Sequence, residues 1–68
     1  MLCPRCEQGD IAKAQIKKTG KDVYVCQECE ATWFTLNEIG VAPFVDFGTY
    51  MEEVGLSPLW DELNIQEI

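Results

Sequence analysis

The chain has 68 residues, 47% of them hydrophobic and 25% charged, with a formal net charge of −7. That length supports one domain whose core alone is marginal, so a metal, disulfides or a partner chain is expected to help hold its shape. The apolar content excludes a disordered chain, and the acidity counts against a surface built mainly to meet phosphates.

The first feature is Cys3-Pro4-Arg5-Cys6. No apolar leader region follows Met1 and no apolar run is long enough to span a bilayer, so neither a signal peptide nor a transmembrane helix is expected. The expectation is a cytoplasmic protein with reduced thiols. Ile11 to Lys18 alternates, with Ala12, Ala14 and Ile16 on one side and Lys13, Gln15 and Lys17 on the other, which predicts a half-buried strand. Thr19-Gly20-Lys21-Asp22 predicts a turn. Val23-Tyr24-Val25 predicts the returning strand, because β-branched and aromatic residues favour strands. The resulting hairpin carries Cys26-Gln27-Glu28-Cys29 back beside Cys3 and Cys6.

Trp33 and Phe34 suggest a third short strand. Thr35 to Glu38 fits a capping box, and Gly40 suits the end of a single helical turn. Beyond it, Asp46 can cap a helix running to Val54, with Gly55 after its last turn. Ser57-Pro58 is a further helix-start signal. A helix from Pro58 to about Leu63 would place Leu59, Trp60 and Leu63 on one face. The predicted fold class is therefore a small metal-bound α+β domain: a zinc ribbon over residues 1–40, and an acidic, aromatic helical extension over residues 41–68 packed on it.

The cysteines form two Cys-x-x-Cys pairs separated by nineteen residues, a spacing typical of a zinc site. Each pair can turn two sulfurs toward one point, and two pairs complete a tetrahedron of thiolates. A set of four protein sulfurs leaves no position for water or substrate, so one structural zinc ion is expected on Cys3, Cys6, Cys26 and Cys29. Iron remains an alternative in such a site. Two disulfides fit a reducing compartment poorly, and a thioredoxin-like redox pair needs a βαβ context that this length does not provide.

Cys-Pro-x-Cys near the start, Val23-Tyr24-Val25-Cys26-Gln27-Glu28-Cys29, Ala31-Thr32-Trp33 and Leu36-Asn37-Glu38-Ile39 together resemble the TFIIB-type zinc-ribbon family of small bacterial proteins. The resemblance covers residues 1–40 and implies a hairpin linking two knuckles, the four cysteines as zinc ligands and Trp33 as a packing residue. Two positions depart from the pattern: Glu30 stands where glycine usually follows the last cysteine, and the aspartate common after the tryptophan is missing, with Thr35 near its place. The size, knuckle spacing and Ser57-Pro58-Leu59-Trp60 segment also resemble small zinc-ribbon immunity proteins of bacterial toxins.

Charge is unevenly distributed. All five basic residues lie at or before Lys21, and the ten acids after it have no basic residue among them. Aromatic residues interleave with those acids, which suggests a docking surface for a basic protein partner through Phe47, Tyr50, Glu53, Trp60, Asp61 and Glu62. This predicts a non-catalytic interaction module, an inhibitor or immunity-type protein. The alternative is a transcription-associated or nucleic-acid-binding ribbon acting through Lys13, Lys17, Lys18 and Lys21. Catalysis finds no support: the chain has no histidine, Ser57 is its one serine, and Glu52-Glu53 and Asp61-Glu62 would diverge on a helix. Neither a membrane nor a small-molecule substrate is expected.

Overall fold

The computed structural model describes residues 1–66. Strand β1 (Ile11–Ile16) and strand β2 (Asp22–Cys26) form the expected hairpin, in the register Ile11 opposite Cys26 and Ala14 opposite Val23. The Gly20 N–H closes the turn on the Ile16 carbonyl at 2.7 Å. Strand β3 (Ala31–Trp33) pairs with β2, Tyr24 opposite Trp33. Two further antiparallel strands complete the sheet: β4 (Val45–Asp46) beside β3 and β5 (Leu63–Gln66) beside β1, giving the order β4-β3-β2-β1-β5.

Because side chains alternate along a strand, the sheet sorts its residues into two clusters. Ala14, Ile16, Val23 and Val25 meet Phe47, Met51 and Leu63, with Phe34, Tyr50, Leu56 and Trp60 packed around them. The opposite parity, Ile11, Cys26, Ala31 and Trp33, gathers with Cys3 at the knuckle end. One face thus receives the C-terminal segment and the other carries the thiols. Among the described residues, no buried side-chain nitrogen or oxygen lacks a hydrogen-bond partner.

Helix α1 (Phe47–Glu53) forms where the capping signals place it. Asp46 accepts from the Thr49 N–H at 3.0 Å. At the other end Gly55 adopts φ 80°, its N–H reaching the Glu52 carbonyl at 3.1 Å and the Leu56 N–H reaching the Met51 carbonyl at 2.8 Å. This pair of bonds is a Schellman close, which needs a left-handed residue and so favours glycine. The helix buries Phe47 and Met51.

Three expectations change. The capping box is a single 3-10 turn, Leu36–Glu38, in which the Thr35 hydroxyl bonds the Glu38 carboxylate at 3.0 Å rather than a backbone N–H. The third strand lies at Ala31–Trp33, earlier than Trp33-Phe34. The predicted helix from Pro58 to Leu63 is a 3-10 turn, Trp60–Glu62, followed by β5. Strand pairing wins there because the outer edge of β1 offers unpaired N–H and C=O groups and because β-branched Ile65 favours strand over helix. The C-terminal segment is therefore not a helical appendage. It contributes two strands to the sheet as well as α1, and the last of these, β5, lies opposite β1 with Ala14 facing Ile65.

Phe47 is 1% exposed and anchors α1 to the sheet. Truncating such a side chain removes its burial and leaves a cavity. Phe47→Ala is expected to lower unfolding stability by about 3–5 kcal/mol, read by denaturant titration; a loss below about 1 kcal/mol would place Phe47 outside the core.

Candidate metal centre

The two Cys-x-x-Cys knuckles are built alike. In the first, the Glu7 N–H donates to the Cys3 carbonyl at 2.9 Å; in the second, the Glu30 N–H donates to the Cys26 carbonyl at 3.1 Å. Both glutamates adopt left-handed backbone, φ 57° and 60°, which turns each chain away after its second cysteine. The β1–β2 register sets the knuckles face to face. Three further backbone bonds tie this end together: Cys3 N–H to the Gly9 carbonyl at 2.8 Å, Gln27 N–H to the Asp10 carbonyl at 3.0 Å, and Ile11 N–H to the Met1 carbonyl at 2.7 Å.

The result is a cluster of four sulfurs, those of Cys3, Cys6, Cys26 and Cys29, all within 4.8 Å of one another. Cys3 and Cys29 are 3.8 Å apart and Cys6 and Cys26 are 3.6 Å apart. A tetrahedron with metal–sulfur bonds near 2.3 Å has sulfurs about 3.8 Å apart. All four are free thiols, with Cys3 and Cys26 buried and Cys6 and Cys29 partly exposed. The set can hold one metal ion.

Backbone N–H groups reach three of the four sulfurs, those of Cys6, Cys26 and Cys29. Glu28 and Cys29 each donate to Cys26 Sγ at 3.4 Å. The N–H groups of Gln8 and Gly9 draw the Cys6 thiol down to about 6. Burial pushes the Cys26 thiol up to about 12 despite its two donors. Burial also opposes ionisation of Cys29, but the Ala31 N–H and the Arg5 guanidinium outweigh it and hold that thiol below its usual range. The hydrogen bond to Cys29 in turn raises Arg5 above its ordinary value. Arg5 also lies over the Phe44 ring at 4.5 Å, so the one guanidinium sits where negative charge on sulfur accumulates.

Gly9 allows the knuckles to meet. A Cβ at this position would fall 2.6 Å from Glu28 Cγ and 2.9 Å from Cys26 Sγ. The tryptophan singled out for packing, Trp33, is 3% exposed and its indole N–H donates to the Ala42 carbonyl at 3.0 Å. This bond draws the 36–44 loop over the knuckle end.

The residues expected to meet a partner fare differently. Phe47 is enclosed in the core and offers no surface, a correction to its expected role as a contact. Tyr50 is half-buried with its ring 5.0 Å from Phe34. Trp60 is half-buried against Phe47 at 5.6 Å, and its indole N–H donates to Glu30 Oε2 at 3.0 Å. Glu62 pairs with Lys18 at 3.5 Å. Glu53 and Asp61 are exposed. Among the lysines, Lys13 is half-buried on β1, Lys17 is exposed, Lys18 is engaged by Glu62, and Lys21 lies over the Phe34 ring at 5.0 Å.

Sequence reasoning missed Arg5, Gly9 and Glu30. For Arg5 and Gly9 the only signal was position, inside the first cysteine pair and three residues after it; for Glu30 it was the departure from the glycine usual directly after the second pair. Among the described residues no helix is long and apolar enough to cross a membrane. Fold and site together define a small α+β protein with a four-cysteine, metal-capable centre. Compared with family models, curated proteins and solved structures, the chain matches none.

Adding one methyl group at Gly9 pushes the knuckles apart. Gly9→Ala is expected to weaken metal affinity by about 10- to 100-fold, measured by competition with a chromophoric chelator. Gly48→Ala serves as control, because its Cβ would meet nothing closer than 3.4 Å. Equal affinities for the two variants would remove Gly9 from the account.

Proposed function

We propose that the chain is a non-catalytic interaction module. One structural zinc ion on Cys3, Cys6, Cys26 and Cys29 fixes its fold, and an acidic outer surface binds a basic protein partner, as an inhibitor or immunity-type protein would. The observation that carries the reading is the cluster of four cysteine sulfurs within 4.8 Å of one another, a donor set that suits zinc. Four protein ligands complete zinc's coordination, so the ion stabilises rather than reacts, and its binding energy becomes folding energy. The resemblance of residues 1–40 to TFIIB-type zinc ribbons agrees with this role.

The partner half of the reading rests on charge. Asp22, Glu28, Glu52, Glu53 and Asp61 are all exposed. Two of the four hairpin lysines are already engaged within the chain, which favours a basic protein over a nucleic acid. With Phe47 in the core and Tyr50 and Trp60 packed against it, acids rather than aromatic anchors dominate the surface offered to a partner. Such a surface contributes most to encounter rate and selectivity and is sensitive to salt.

Elemental analysis of purified protein is expected to give one zinc per chain, and chelation is expected to unfold it; well-folded protein without metal would sink the zinc assignment, and a visible absorption band from iron would replace it. Affinity capture is expected to recover a basic protein whose binding falls about tenfold or more in the charge-reversed variant Glu53→Lys/Asp61→Lys. Equal capture by wild type and variant would rule out the acidic surface, and tight binding of a short RNA or DNA duplex lost in Lys17→Glu would favour the nucleic-acid reading.

A further inference from the structure

Glu30 follows Cys29 and holds a left-handed backbone, φ 60°. Glutamate disfavours that conformation, and several contacts surround it here. Those contacts reach three separate parts of the chain. The Glu30 N–H donates to the Cys26 carbonyl within the knuckle, and the Glu30 carbonyl accepts the Phe47 N–H at 3.0 Å, where α1 begins. Its carboxylate accepts the Trp60 indole N–H at 3.0 Å. Trp60 in turn precedes Glu62, whose carbonyl receives the Lys17 N–H at 2.9 Å and whose carboxylate pairs with Lys18.

Glu7 provides an internal comparison. It occupies the matching position in the first knuckle and has the same left-handed backbone and the same N–H bond to the first cysteine. Yet it is exposed, and none of the side-chain hydrogen bonds found among the described residues involves it. The first knuckle therefore ends at its own turn, whereas the second is wired to the C-terminal half of the protein.

We infer that Glu30 is a latch coupling the four-cysteine site to the docking of residues 45–66. With the second knuckle set, Glu30 presents its carbonyl to Phe47 and its carboxylate to Trp60 together. When that knuckle relaxes, glutamate leaves the left-handed region and both residues lose a partner at once. The statement that a metal sets the knuckle rests on the zinc reading; the latch itself does not. The charged acceptor matters, because a hydrogen bond to a carboxylate is stronger than one to a neutral oxygen.

Hydrogen exchange by NMR tests the latch in the full chain as purified. Glu30→Gly keeps the left-handed turn available and removes the side chain with its carboxylate. The Trp60 indole and the Lys17 amide are expected to exchange about tenfold faster or more, the loss of one charge-assisted bond, while the Ile16 amide within the hairpin keeps its rate. Glu30→Gln, which retains a neutral acceptor oxygen, should recover part of the protection but not all of it. Unchanged exchange at Trp60 and Lys17, or acceleration at Ile16 by the same factor, overturns the latch. In a second arm, limiting chelator is added to the wild-type protein: the Phe47 amide and the Trp60 indole are expected to lose protection together and before the Ile16 amide, and protection retained at both, or loss at all three in step, overturns the coupling. If the purified protein carries no metal, the zinc reading falls while the Glu30→Gly arm still decides the latch.

Discussion

The structure depends on one register: Ile11 opposite Cys26 at the end of the β1–β2 hairpin. This pairing brings a loop from near the N-terminus against a loop from the middle of the chain, and four sulfurs converge between them. The convergence is tight enough that position 9 must lack a side chain. It is also firm enough to hold two glutamates in a backbone region that disfavours them. Strain of this kind persists only where several contacts over-determine it, and both glutamates donate to the first carbonyl of their own knuckle. The hairpin register, the left-handed turns and the sulfur cluster are therefore one arrangement seen at three scales.

The opposite face of the same sheet explains the C-terminal segment. Ala14, Val23 and Val25 are small and would leave a bare apolar surface if the chain ended after the hairpin. Phe47, Met51 and Leu63 cover it, and the strands on either side of that segment cap both edges of the three-stranded core. In a chain of this length such cover matters, because a small domain buries too little surface to waste an exposed sheet face. The aromatic residues of the acidic segment are thus committed chiefly to this task. Their hydrophobicity serves the core, and the acids between them are left to solvent or to a partner.

Much of this was legible in the sequence. The cysteine spacing located the metal-capable centre, the alternation from Ile11 assigned the correct residues to the covered face, and Asp46 with Gly55 marked both ends of α1. What was not legible has physical causes. Leu59, Trp60 and Leu63 satisfy a helical spacing, and only the free edge of β1, a tertiary feature, turns Leu63 to Gln66 into a strand. Strand β4 is two residues long, below any periodicity. Phe47 reads equally well as core or as docking surface until α1 is placed on the sheet. Glu30 is hidden most deeply, because nothing in a glutamate codon announces a left-handed turn or a bond to a tryptophan thirty residues on; the departure from glycine at that position was visible, but not its use.

Charge adds a last constraint. Four thiolates around a divalent ion would add about two negative charges to a chain whose formal charge is already −7. Backbone N–H groups meet part of that charge at Cys6, Cys26 and Cys29, and Arg5 meets more from within the first knuckle. Arg5 is held by Phe44 as well as by sulfur, so the guanidinium neutralises the centre locally and does little for the acids elsewhere. Lys18 and Lys21 are drawn onto Glu62 and Phe34 in the same way. Three of the five cations thus lie beside the chain's own sulfur, carboxylate and rings while remaining exposed to solvent. These contacts leave the net charge unchanged, so the field that reaches solvent keeps the negative sign of the formal charge of −7.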